Sequence, residues 1–176
     1  MTKLNFRIVA KSIFILLVAI FPLSYAHEIG HSMVCAAEGH TFQIDVGLGG
    51  GSMICNGDVD NYHLFRAAGG YFAMLVAFAP LVAYSWMKRH PYLLIAFLSL
   101  GIGHGFNAVI ETLFFDMYIA HHELLASVMG FFVFMVFLIF AFKFAKKELT
   151  VHRTLFSLQP STPNSVRNSN LRRMRS

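Results

Sequence analysis

Charged side chains are scarce in this chain. Asp, Glu, Lys and Arg make up 13% of its 176 residues, while 56% are apolar and the mean hydropathy is +0.59. Ordinary soluble domains carry about 25% charged residues. This shortage argues against a soluble helical bundle and indicates a protein whose helices lie in a lipid bilayer.

Stretches without any Asp, Glu, Lys or Arg show where the chain can cross a membrane. Residues 67–86, 91–110 and 124–142 form three such stretches. Each reaches the ~20 residues that a ~30 Å hydrocarbon core requires. The apolar run at 12–26 is shorter and reaches that length only by continuing into the residues that follow it. We therefore predict an all-α integral membrane protein with about four transmembrane helices, near residues 8–38, 67–86, 91–115 and 124–142.

The basic residues lie almost entirely on one side of these spans. Thirteen of the 14 Lys and Arg precede the first span, separate the second from the third, or follow the fourth, and only Arg66 falls on the opposite side. The positive-inside rule then puts both termini in the cytoplasm, and we expect a plasma-membrane location. A membrane domain over residues 1–150 would be followed by a disordered basic cytoplasmic tail over 151–176. No basic patch is interleaved with aromatic residues, so we expect the lipid bilayer as a partner and no nucleic acid.

The loop at 39–66 has the pattern of a small extramembrane β-hairpin. Apolar residues alternate from Phe42 to Leu48, and a run of glycines follows them. Alternation with a period of two is typical of a strand, and the glycines predict the turn. Cys35 and Cys55 could form a disulfide if both reach the outer side.

The sequence His27-Glu28-Ile29-Gly30-His31 is an H-E-x-x-H motif at the end of the first apolar run. On a helix, residues four apart are turned by only ~40° from each other. His27 and His31 can therefore hold one metal ion while Glu28 activates a water beside it, which is the arrangement of zinc peptidases. Histidines and a glutamate beside a hydrocarbon span are costly to keep without a function, which favours a real site.

The beginning of the chain also has the pattern of a cleaved secretory signal. Lys3, Arg7 and Lys11 precede the apolar stretch, and small residues end it at Ala26. Cleavage there would leave His27 as the amino terminus, where its amine and ring can chelate copper. Against this alternative, cleavage would remove the helical turns that orient the motif.

The third span carries polar residues that can complete a metal site. His104, Asn107 and Glu111 are spaced i, i+3, i+7 and therefore share one helix face. Counted from the starts of their spans, His31 and Glu111 lie at the same height, ~30 Å along each helix. This polar stripe is hard to explain as packing, and we expect it to face the motif.

Together these pieces resemble the site-2 protease family of intramembrane zinc metalloproteases, and in particular its short, minimal members. The resemblance rests on residues 26–33, the glycine-rich loop at 47–52, the small residues at 67–72 and Asn107, which occur in the family's order. It implies a zinc peptidase in which a hairpin near the site holds extended substrate by edge pairing.

The third metal ligand is where the chain departs from that family. Family members carry prolines and an Asp-Gly pair after the asparagine, and that aspartate is the third ligand. Here Asp116 lies one residue beyond the usual offset from Asn107, without the prolines or the glycine. The resemblance favours Asp116, whereas helix face and depth favour Glu111, with His104 behind it. We choose Glu111, and a non-catalytic relative without the ligand stays open.

We therefore predict a zinc metalloendopeptidase that cleaves membrane-spanning or membrane-proximal segments of transmembrane proteins. His27, His31 and Glu111 would bind Zn²⁺. Glu28 would be the general base, and Asn107 would hydrogen-bond the polarised carbonyl or the water. The alternatives are a non-catalytic metal-binding membrane subunit of a larger complex, and the copper site with His27 as the mature amino terminus.

Overall fold

The structure is a computed structural model that describes residues 4–47 and 50–157, apart from the side chains at 116, 118, 119, 122 and 145–157. The described residues form helices α1 to α6, strands β1 and β2, and a 3₁₀ helix after α2. In chain order they are α1 Phe6–Ala37, β1 Phe42–Gly47, β2 Gly50–Cys55, α2 Tyr62–Phe78, the 3₁₀ helix Ala79–Ala83, α3 Tyr84–Met87, α4 Pro91–Leu113, α5 Phe115–Ala120 and α6 His122–Ser157.

Four helical segments are long and apolar enough to cross a membrane: Phe6–Ala37, Tyr62–Met87, Pro91–Leu113 and Glu123–Phe144. The second of them contains α2, the 3₁₀ helix and α3. The prediction of a mostly helical protein with four candidate spans and a small two-stranded sheet is confirmed, and these helices indicate an integral membrane protein. Helix α6 is described to its end at Ser157, and the rest of the predicted tail lies outside the described residues.

The beginning of α2 is held beside the end of α1 by side-chain capping. The Glu38 carboxylate follows α1 and accepts hydrogen bonds from the amides of Asp60, at 2.7 Å, and Asn61, at 3.2 Å. The Asn61 side chain in turn accepts a hydrogen bond of 3.1 Å from the Leu64 amide and caps α2. Because bonds to a carboxylate are strong, this link fixes the first turns of α2 next to the last turns of α1.

The predicted hairpin is present and is fastened to α1. Strands β1 and β2 pair antiparallel, from Phe42 opposite Cys55 to Gly47 opposite Gly50. A disulfide joins Cys35 in α1 to Cys55 at the end of β2, with the two Cα atoms 5.9 Å apart. The covalent link, together with packing of both strands against α1, brings the hairpin to the same end of α1 as the motif. Leu48 and Gly49, which contributed to the hairpin prediction, lie outside the described residues.

Helix α2 packs closely against both α1 and α4 because small residues line its contacts. A Cβ atom added to Gly30 in α1 would lie 2.8 Å from the carbonyl carbon of Ala68 in α2. A Cβ atom added to Gly70 would lie 2.6 Å from the amide nitrogen of Ala108 in α4. Both distances are too short for real side chains, so glycine permits the close approach of the three helices next to the motif.

Candidate metal centre

The motif histidines lie on one face of α1, where His27 is buried and His31 is half-buried. His27 is only 8% exposed and Glu28 only 7% exposed, in a helix whose preceding residues are mostly apolar. The Nε2 atoms of His27 and His31 are 3.1 Å apart. The i, i+4 spacing therefore brings two imidazole nitrogens to one point, as the sequence predicts.

A backbone carbonyl sets the orientation of His31. The Nδ1 atom of His31 lies 2.6 Å from the carbonyl oxygen of Phe65 in the first turn of α2. Because a carbonyl oxygen can only accept a hydrogen bond, Nδ1 carries the hydrogen, and Nε2 of the neutral ring presents a lone pair. This is the usual way in which a protein fixes the tautomer of a metal-binding histidine. Sequence reasoning missed Phe65, because its contribution comes from the backbone and has no sequence signal.

Glu111 of α4 completes the group. Its Oε1 atom lies 3.4 Å from His27 Nε2, and its Oε2 atom lies 3.9 Å from His31 Nε2. Candidate ligand atoms of the three residues all lie within 4.8 Å of one another. Ligands bound at about 2.0–2.2 Å in a tetrahedral zinc site are separated by about 3.3–3.6 Å, so the observed distances bracket the expected ones. These three side chains, two of them buried and His31 half-buried, could hold a metal ion.

Asn107 supports Glu111 from one turn earlier on the same helix. Its Nδ2 atom donates a hydrogen bond of 2.9 Å to Glu111 Oε1. Sequence reasoning expected this amide to contact substrate or water, and the i, i+4 spacing of Asn107 and Glu111 is the signal that could have indicated the pair. Within the described part of the chain, Glu111 Oε2 and Asn107 Oδ1 are both buried without a hydrogen-bond partner. The unsatisfied Glu111 Oε2 beside two imidazoles fits a cation, which would accept its lone pair.

Glu28 lies on the other side of the site, against β2. A Cβ atom added to Gly51 would lie 2.7 Å from both Cγ and Oε1 of Glu28. Only a glycine at that point of the strand therefore leaves room for the glutamate. The hairpin covers the motif through this contact, and it places strand backbone next to the carboxylate that the sequence predicts as the base.

A cavity of about 490 Å³ lies between these elements, which is a size typical of ligand sites. Its wall contains Glu28, the three candidate ligands, Arg66 of α2 and residues 50–53 of β2. A second, apolar cavity of about 540 Å³ lies among α1, α4 and α6. The two cavities share part of their lining, namely Ser24, His104, Asn107 and Met129.

His104 and Asp116, the two other candidates for the third ligand, do not belong to this group of three described side chains. The ring of His104 is 6.1 Å from the ring of His27, centroid to centroid, and the residue lines the cavity without joining the group of three. Asp116 lies in α5, which begins after α4 ends at Leu113, and its side chain lies outside the described part of the structure. Among the described side chains, His27, His31 and Glu111 are the set brought together.

Comparison of the chain with protein-family models, curated proteins and solved structures finds no match. The resemblance to site-2 proteases therefore rests on the short motifs of the sequence alone, and the chemistry of the site has to be argued from its geometry.

Proposed function

We propose that this protein is a zinc-dependent intramembrane endopeptidase. The observation that carries the proposal is the convergence of His27, His31 and Glu111 in a cavity that Glu28 also lines. Two histidines, a carboxylate and a neighbouring glutamate are the donor set of hydrolytic zinc sites. The group lies on helices that are long and apolar enough to span a membrane, so its substrate would be a peptide segment in or next to the bilayer.

The roles of the residues follow from their contacts. His27, His31 and Glu111 would hold the zinc, and a zinc ion there supplies Lewis acidity toward the scissile carbonyl and the attacking water. Glu28 would take the proton of that water and deliver it to the leaving amine. Asn107 holds the Glu111 carboxylate in place, and the Phe65 carbonyl holds the His31 ring.

The hairpin and the apolar cavity suggest how a peptide would be bound. The described sheet has two strands, so β2 has one edge that is not paired within it, and residues 50–53 of β2 line the cavity that the candidate ligands share. An extended peptide could pair with such an edge. The adjoining apolar cavity among α1, α4 and α6 could receive the part of the segment that remains in lipid. The proposal includes cytoplasmic termini, from the distribution of basic residues, and a plasma-membrane location.

The test uses the full-length protein in lipid nanodiscs and a synthetic membrane-spanning peptide of about 20 apolar residues. We expect one zinc ion per chain, lost on His27→Ala or His31→Ala. Glu28→Gln should retain zinc and lower the cleavage rate by at least about 10²–10⁴-fold, because it removes the general base and little volume. Glu123→Gln, at an exposed position where α6 begins, is the matched control and should leave both zinc and cleavage unchanged. Cleavage by Glu28→Gln at the wild-type rate would exclude Glu28 as the base.

The departure from the site-2 protease pattern after Asn107 favours one further candidate, a non-catalytic metal-binding membrane subunit of a larger complex. Stoichiometric zinc without cleavage of any membrane peptide would support that function. Amino-terminal sequencing completes the test, because a mature chain that begins at His27 and contains copper would favour a copper site instead.

A further inference from the structure

Arg66 has no role in the functions considered so far. It is the basic residue that falls on the opposite side of the predicted spans from all the others. In the structure it lies in the first turns of α2, directly after Phe65, and lines the same cavity as the candidate metal ligands. Arg66 lies near the beginning of the candidate span Tyr62–Met87, and charged side chains within spans are rare and usually mark a site of function.

Two aromatic rings hold the guanidinium group in place. The Cζ atom of Arg66 lies 3.6 Å from the ring centroid of Tyr62 and 2.9 Å from that of Phe115, and the two centroids are 5.6 Å apart. Cation–π contacts of this kind stabilise the charge and fix the guanidinium between the rings. Because the planes of the two rings are 77° apart, the guanidinium can stack on only one of them, and the N–H donors that do not point at the other ring stay available for an acceptor.

The described residues offer this cation no acidic partner. No described carboxylate lies within 4.0 Å of its nitrogens, and its buried Nε atom has no hydrogen-bond partner among them. Among the described side chains, the charged groups lining the cavity are Glu28, Glu111 and Arg66. Arg66 is the cation among them, and because its guanidinium has no described carboxylate as a partner there, it is available to an anionic group of a ligand that enters the cavity.

We propose that Arg66 binds a carboxylate group of the peptide that occupies the cavity. The planar fork of a guanidinium matches the two oxygens of a carboxylate and forms strong paired hydrogen bonds with them. The carboxylate belongs either to an acidic side chain near the scissile bond or to the free carboxyl end of a peptide. The identity of the ligand as a peptide rests on the proposed peptidase function, whereas the carboxylate preference rests on Arg66 alone.

The experiment measures binding of short peptides to the metal-free full-length protein in nanodiscs, so that no zinc can bind the carboxylate. One pair of probes is acetyl-Leu-Leu as the free acid and as the carboxamide. The other pair is acetyl-Leu-Glu-Leu-amide and acetyl-Leu-Gln-Leu-amide. We expect the acid of at least one pair to bind about tenfold more tightly than its neutral partner, as a charge-assisted hydrogen bond allows. The pair that shows the preference identifies the source of the carboxylate.

Variants then assign the preference to Arg66. Arg66→Gln should remove it and leave the affinity of the neutral probes within about twofold, because only the charged contact is lost. Arg66→Lys keeps the charge but loses the planar fork, and should retain a few-fold preference. Arg89→Gln removes an exposed arginine between α3 and α4 and should leave the preference unchanged.

Two results would overturn the proposal: equal affinity of acid and neutral probes for the wild-type protein, or a full preference retained by Arg66→Gln. The first needs no variant, so a failure of Arg66→Gln to fold does not remove the test. The measurement requires neither zinc nor cleavage. A carboxylate preference in a protein that cleaves nothing would therefore refute the peptidase and leave the role of Arg66 standing.

Discussion

Replacement of Glu111 by Ala tests the part of the metal centre that sequence reasoning left most open. Glu111 supplies the ligand from α4, with its oxygens 3.4 Å from His27 Nε2 and 3.9 Å from His31 Nε2. The substitution removes both oxygens and leaves two histidines on one turn of α1. Catalytic zinc sites use three protein ligands and a water, so a site reduced to two histidines should bind zinc much more weakly.

The size of the loss can be bounded from the contacts. Loss of a residue that only orients a ligand typically costs 10–100-fold in metal affinity. Asn107 is such a residue, since it donates to Glu111 Oε1 at 2.9 Å, and Asn107→Ala should weaken zinc binding by about that factor. Removal of Glu111 itself should cost more than about 100-fold, or roughly 2.8 kcal/mol of binding free energy.

The assay is competition for zinc between the purified protein in nanodiscs and a coloured chelator of known affinity. Asp116→Ala is the comparison that decides between the two carboxylates, and we expect it to leave zinc affinity nearly unchanged. Tight zinc binding by Glu111→Ala would refute the assignment. Loss of zinc in Asp116→Ala instead would make Asp116 the third ligand. Retention in both variants would leave a site without a carboxylate and favour the non-catalytic subunit.

Two further predictions concern the hairpin. Gly51→Ala should retain zinc but slow peptide cleavage by about 10²-fold, because its Cβ would lie 2.7 Å from Glu28 Cγ and a displacement of a catalytic group by about 1 Å can cost that much. Gly47→Ala is the control, since its Cβ would meet nothing within 4 Å. Equal cleavage rates in both variants would contradict the prediction. Replacing Cys35 and Cys55 together by Ser should lower the free energy of unfolding by about 3 kcal/mol in denaturant titrations, as expected for opening a loop of sequence separation 20. An unchanged midpoint of the unfolding transition would show that the disulfide adds nothing to stability.

Much of the fold could be predicted because it depends on patterns of one chain segment at a time. Charge-free runs of spanning length indicate the helices, and alternation with glycine indicates the hairpin. The pairing of α1 with α4 at the site could be predicted as well, because helices that start on the same side of a bilayer have a common depth scale. Because His31 and Glu111 lie at equal depths along their spans, Glu111 could be predicted to share a metal site with His31.

The remaining features depend on contacts between segments, which leave little trace in sequence. The Phe65 carbonyl orients His31 through its backbone, so any residue at that position could do the same. The fit of Glu28 against Gly51 requires the exact seating of the hairpin on α1, which the disulfide helps to fix. The position of Arg66 between Tyr62 and Phe115 requires α5 to approach α2 after the interruption at Phe114. Each of these depends on tertiary packing.

The hydrogen-bonding capacity of the cluster is the strongest physical reason to place a cation in it. His31 Nε2 is an acceptor, because Nδ1 of that ring already donates to the Phe65 carbonyl. Both oxygens of the Glu111 carboxylate are acceptors, and only Oε1 receives a hydrogen bond from Asn107. His27 Nε2 has at most one hydrogen to donate, and both His31 Nε2, at 3.1 Å, and Glu111 Oε1, at 3.4 Å, compete for it.

The described side chains therefore supply fewer hydrogen-bond donors than there are acceptor lone pairs at this point, and Glu111 Oε2 is left buried without a partner. A buried unsatisfied carboxylate oxygen costs more than a neutral group would. One metal ion accepts all of these lone pairs at once, which a hydrogen-bonded cluster of the same three side chains cannot do.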